Sequence, residues 1–228
     1  MKKTIFTLNV NNYSPEITKL TYPFIKNYAD KIGAEFAVIT ERKFPDFPVW
    51  YEKLQLYKLS HDNDWSLFFD SDCLIHPDLF DITEILPEDT VLTHGADNAI
   101  GVFKYDNYFK RDGRNICAGS FLMVASHLTR DLWEPLSDLT PKEALSRIYV
   151  TSTEKSVGYT QRQGIDDYVI SRNIAKYHLK YKTFPELLKE IGRPDTEFFF
   201  HNYGIPEAEK VKQIKDKIQQ WKSMWKHT

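Results

Sequence analysis

A chain of 228 residues is long enough to bury a substantial core as one domain, and 42% hydrophobic with 27% charged residues excludes a disordered or fibrous protein. Lys and Arg total 30 against 32 Asp and Glu, a formal charge of −2, which argues against a broad electrostatic nucleic-acid surface. Cys73 and Cys117 are the only cysteines and lack metal-ligand spacing, so a disulfide framework is not expected and a reducing, cytoplasmic setting fits best.

The N-terminal run is too short and too polar for a signal peptide or membrane span, because Asn9, Asn11 and Asn12 interrupt it. Residues 3–9 read instead as a buried strand that ends in an Asn-rich turn. Ser14-Pro15 opens a helix with Leu20, Phe24, Tyr28 and Ile32 on one side, and Gly33 stops it. A second strand over 34–40 completes a βαβ unit, the signature of a parallel sheet that takes nucleotide-scale ligands at the carboxyl ends of its strands.

After a loop marked by Pro45 and Pro48, a helix is predicted over about 50–60, with Trp50, Leu54 and Tyr57 along one side. The run from Trp65 to Ile75 reads as a buried apolar strand, and residues 90–94 and 119–125 as two more. The polar stretch 97–116 reads as a loop over a site. Helices are predicted over 141–149 and 164–176, and a late strand ends at His201. Pro206 begins a last amphipathic helix in which Val211, Ile214, Ile218, Trp221 and Trp225 recur at spacings of three and four. The expected organisation is a domain over 1–204 and a C-terminal helix over 205–228, docked on the domain or peripheral to it.

Asp70 and Asp72 carry the strongest chemical signal. Carboxylates closing an apolar strand are costly unless a positive group compensates them. On an extended chain, spacing i, i+2 puts both on one face, and paired oxygens there suit a hard cation such as Mg²⁺ or Mn²⁺. A turn or capping pair is the bland alternative. Asp166 and Asp167 follow Gly164 at a predicted helix start, where acids satisfy free N–H groups and the helix dipole, or serve chemistry.

The run from Trp50 to Ile82 resembles the core of GT-A glycosyltransferases of the family-8 type, in which a Lys-bearing helix precedes an Asp-x-Asp strand. The resemblance covers most of residues 3–204 and implies an α/β fold: a Rossmann-like GT-A domain with a mostly parallel sheet flanked by helices. It implies a nucleotide-sugar donor, by default a UDP-sugar, bound through Mn²⁺ or Mg²⁺. Asp70, Asp72 and His201, the last from the motif His-Asn-Tyr-Gly, would be the metal ligands. Thr7, Leu8, Asn9, Asn12 and Tyr13 would lie at the base, with Lys53 and Ser71 nearby and Gly204 in a diphosphate-facing turn. Ala118 and Gly119, in a run similar to the family's Asn-Ala-Gly, would lie against the donor sugar, although Cys117 replaces the Asn. Asp166 and Asp167 would face the acceptor. The family's Lys-Pro-Trp is missing, since position 207 is Glu; Lys210 and Lys212 are the nearby lysines.

A glycan or lipid-linked saccharide is the expected acceptor, with protein or a modified DNA base as other possibilities. The final helix, with Lys in excess and two Trp, could also meet an anionic membrane surface. A haloacid-dehalogenase-like phosphatase shares the Asp-x-Asp strand, but there the strand opens the domain and Thr or Val stands where this chain has Leu74. A sugar-binding protein on a decayed GT-A scaffold is the non-catalytic alternative.

Overall fold

The N-terminal apolar run forms β1 (Lys3–Leu8), which pairs in parallel with β2 (Glu35–Ile39) on one side and β3 (Trp65–Phe69) on the other. Between β1 and β2 runs α1 (Pro15–Ile32). Ser14 caps its start by accepting the Ile17 N–H, and Gly33 closes it in the left-handed region at φ 67°, a conformation that costs a residue without Cβ little. The computed structural model describes residues 1–97, 112–114, 116–119, 121–148, 150, 152–156, 158, 160–202 and 204–225. Most of the loop expected over 97–116 lies outside these residues, as do Ser120 and Tyr203.

The segment expected as an α-helix over 50–60 winds instead as a 3₁₀ helix (Val49–Gln55) that relaxes into one α-turn, α2 (Leu56–Leu59). Tyr51 to Gln55 are buried in succession, a demand that the single buried face of an α-helix does not meet. After β3 the chain turns into β4 (Leu74–Ile75), and β5 (Thr90–Thr93) follows. A short ribbon joins β6 (Ala96–Asp97) to β7 (Cys117–Ala118) before β8 (Leu122–Ser126). The helices α3 (Pro141–Arg147), α4 (Ser152–Ser156) and α5 (Ile165–Lys176) lead to β9 (Lys180–Thr183) and α6 (Phe184–Glu190). β10 (Phe199–Phe200) and α7 (Glu207–Trp225) complete the described chain.

The central sheet has six strands in the order β2-β1-β3-β8-β5-β9, and only β8 runs against the others. Alternation along β3 supplies two cores: Phe68 faces one with Trp133 and Tyr168, while Trp65, Leu67 and Phe69 face the other with Ile25 and Phe184. The late strand expected before His201 pairs antiparallel with β4 outside this sheet, Phe200 opposite Leu74. Helix α7 buries Val211, Ile214 and Trp221 against Ile17 of α1 and Leu74 of β4. No helix among the described residues is long and apolar enough to cross a membrane. Trp221 is 3% exposed, so its indole is spent on this packing and is not offered to a lipid surface.

Candidate active site

The acids at the end of β3 converge for a different reason than strand alternation. Residues 70–73 form a turn in which the Cys73 N–H donates to the Asp70 carbonyl at 3.0 Å. Thr21 of α1 donates to the Ser71 carbonyl at 2.5 Å, and the Ser71 hydroxyl donates to the Leu8 carbonyl. The turn is therefore clamped between α1 and the end of β1, and folds both carboxylates to the same side. Gly204, at φ 72°, supplies the left-handed turn after His201 that brings the chain on to α7.

His201 arrives beside them from the end of β10. Its Nε2 lies 3.2 Å from Asp72 Oδ1 and 3.6 Å from Asp70 Oδ2. One ligand atom from each of Asp70, Asp72 and His201 falls within 4.8 Å of the others, the one such group of three His, Cys, Asp or Glu among the described residues. Two carboxylate oxygens and an imidazole nitrogen form a donor set that could hold a divalent cation, the imidazole favouring a transition metal over Mg²⁺.

Cations already surround these acids. Lys210 of α7 places Nζ 2.5 Å from Asp72 Oδ2, and the Tyr13 hydroxyl lies 3.5 Å from the same oxygen. Burial would raise the Asp72 carboxyl, but the His201 hydrogen bond and the Lys210 charge hold it well below the usual carboxylate range. At Asp70 burial prevails and pushes the carboxyl up, with Lys53 and His201 pulling against it. Burial and the nearby Asp72 and Asp70 also raise the Tyr13 phenol.

Lys53 is no solvated helix lysine. It is 1% exposed, with Nζ 2.7 Å from Asp166 Oδ2 and 3.5 Å from Asp70 Oδ1. Burial alone would lower its pKa, yet Asp166 and Asp70 raise it, so the ammonium stays charged. Asp166 thus lies in the first turn of α5 but points its buried carboxylate to Lys53, which links it to Asp70. Gly164 is the residue at the N-cap.

The remaining sequence candidates divide. Thr7 is fully buried beneath the turn, its hydroxyl 3.4 Å from Ser71 Oγ, and Leu8 is 8% exposed; neither side chain is open to a ligand. Asn9 pairs its N–H with Ile39, while its buried Oδ1 has no partner among the described residues. Asn11 and Asn12 turn the chain at φ 60° and 54°, which Asn tolerates, and leave Asn12 exposed and Tyr13 partly so, at 41%. The Ala118 N–H donates to Ser171 of α5. Gly119 does permit a close backbone approach, but its partner is Gly95: a Cβ there would lie 3.3 Å from the Gly95 carbonyl oxygen.

The sequence reading named Lys210 only as one of two nearby lysines, and it did not name Phe121. Lys210 shares a helix face with Ile214, Lys217 and Trp221, so its spacing signalled an inward position. Phe121 accepts the Asp70 N–H at 2.9 Å and stacks on His201. Nothing in the sequence set it apart from other core aromatics.

No sequence family and no curated protein matches the chain. Solved structures do. A glycosyltransferase involved in glycosylation of the major capsid of PBCV-1 superposes with a TM-score of 0.53 at 13% identity, over 94% of this chain and 99% of that one. The fold is of the GT-A type. The galactosyltransferase LgtC, solved with donor and acceptor sugar analogs, aligns over 94% of this chain and 95% of its own at 13% identity and a TM-score of 0.49.

Proposed function

We propose that this chain is a metal-dependent glycosyltransferase that moves a sugar from a nucleoside-diphosphate sugar, by default a UDP-sugar, to a hydroxyl acceptor. The observation that carries the reading is the convergence of Asp70, Asp72 and His201 where β3 ends, on a sheet of the GT-A type. Carboxyl ends of strands are where open α/β sheets take their ligands.

In this reading Asp70, Asp72 and His201 hold Mn²⁺ or Mg²⁺, which when bound offsets the charge of the departing diphosphate. Lys210 sits 2.5 Å from Asp72 and keeps that carboxylate ionised in the free protein. Lys53 fixes Asp70 and Asp166 relative to each other. The left-handed turn at Asn11 and Asn12 and the buried, unpaired Oδ1 of Asn9 serve the base, with Tyr13 between base and metal cluster. Asp167, next to Asp166 but only part-buried, is assigned to the acceptor hydroxyl. Glycan or lipid-linked saccharide acceptors fit a hydroxyl nucleophile.

A donor-hydrolysis screen across nucleotide sugars, with Mn²⁺ or with excess EDTA, tests the reading. Hydrolysis should need the metal, and Asp72→Ala should abolish Mn²⁺-dependent thermal stabilisation by UDP. Asp167→Asn should still bind UDP but transfer sugar about 10²–10⁴-fold more slowly. Full activity in EDTA would sink the metal-dependent mechanism, and turnover of simple phosphate esters would favour a phosphatase.

A further inference from the structure

We infer that Phe121 is a positioning residue for the metal-ligand set, orienting His201 and Asp70 from a single point on the sheet. The inference rests on the metal reading above. Asp70 and His201 come from distant parts of the chain, one from the turn after β3 and one from the end of β10, so something must set their relative geometry. Phe121, immediately before β8, touches both. Its carbonyl accepts the Asp70 N–H at 2.9 Å, which fixes the backbone of the first ligand. Its ring lies against the His201 imidazole with centroids 4.4 Å apart and planes 20° from parallel.

A flat ring stacked this way limits rotation of the imidazole about its Cβ–Cγ bond while leaving Nε2 facing the two acids. A ligating histidine needs its ring plane fixed by a neighbour, usually by a hydrogen bond; here the stack adds that constraint. The stack is anchored in turn. His94 lies on the Phe121 ring at 4.1 Å, and its own N–H donates to the Leu122 carbonyl at 3.1 Å, tying β5 to β8. Phe199, two residues before His201, meets the same Phe121 ring edge-on at 6.2 Å. An aliphatic side chain would fill the space but give no planar surface.

The test compares the parent with Phe121→Leu and Phe121→Tyr in the full chain, using Mn²⁺ alone as probe. Free Mn²⁺ is followed by electron paramagnetic resonance, and the His201 ring protons by NMR without metal. Phe121→Leu should bind Mn²⁺ about 3- to 10-fold more weakly, the loss expected for one aromatic pair, and should lose the ring-current shift at His201. Phe121→Tyr should restore both. A structural role alone would lower the melting temperature of Phe121→Leu and leave Mn²⁺ affinity at the parental value, which overturns the inference. If the Leu variant does not fold, Phe121→Met, closer in volume, is read by the same criteria. Asp72→Ala separates the two layers: if it abolishes Mn²⁺ binding while Phe121→Leu does not weaken it, only the positioning role fails. If the parent binds no Mn²⁺, the metal reading fails and this inference with it.

Discussion

At Lys53 an ammonium is held with 1% exposure between Asp166 and Asp70, so removing it strands buried carboxylates. Breaking one partner of such a pair costs about 3–5 kcal/mol, far more than intact pairs contribute. Lys53→Met should therefore lower stability by that amount in urea denaturation, and adding Asp166→Asn should recover part of it. A loss below about 1 kcal/mol would mean that water enters and compensates the acids. His94 makes a prediction of opposite chemistry. Burial, with the charge of His201 adding to it, lowers its pKa to about 4, against an ordinary 6.5. The unfolded chain then binds the proton first, so stability falls as pH drops from about 6.5 towards 4. Solvent screening at this part-buried ring leaves about 1–2 kcal/mol of the effect. Urea midpoints for the parent should fall between pH 7 and pH 5, and His94→Gln should flatten that part of the profile.

At the scale of elements, α7 is held by both apolar and polar contacts. Trp221 packs edge-on against His76 at 4.7 Å, and Lys210 crosses to Asp72 eleven positions before it. The helix therefore docks the Asp72 side of the site as well as covering β4. Trp221→Ala should cost about 3–5 kcal/mol, the range for deleting a buried large aromatic. Equilibrium denaturation measures the loss, and a change under about 1 kcal/mol would show that the helix contributes little to the fold. The short helices α3 and α6 depend on other local devices. Thr140 with Glu143, and Thr183 with Glu186, form reciprocal capping boxes at their starts, with Pro at the first turn of each.

In the whole molecule β3 is the central strand, laddered to β1 and β8 and fully buried, whereas β2 and β9 are the sheet's edges. Native-state hydrogen exchange should accordingly be slowest in β1, β3 and β8 and faster in β2 and β9. Slower exchange at β9 than at β3 would contradict the layered core. The parts of this architecture that depend on local pattern were legible in the sequence. Alternation gave β1, a continuous apolar run gave β3, period and caps gave α1 and α7, and Gly33 gave the stop between α1 and β2, because each is set by neighbours within a few residues. The acids of β3 were legible too, since carboxylates ending an apolar strand conflict with burial whatever the rest of the chain does. Their convergence was read from strand alternation, but its cause lies in packing: the turn at Asp70–Cys73 depends on Thr21 and Leu8, and its clamp exists only once α1 and β1 are packed. The antiparallel entry of β8, the pairing of β10 with β4, and the 3₁₀ winding that buries Lys53 are likewise products of packing. So is the site's charge balance, in which Lys210 meets Asp72 across 138 positions. Periodicity records which face of an element is buried, whereas the partner on that face is chosen by the tertiary contacts that bring distant segments together.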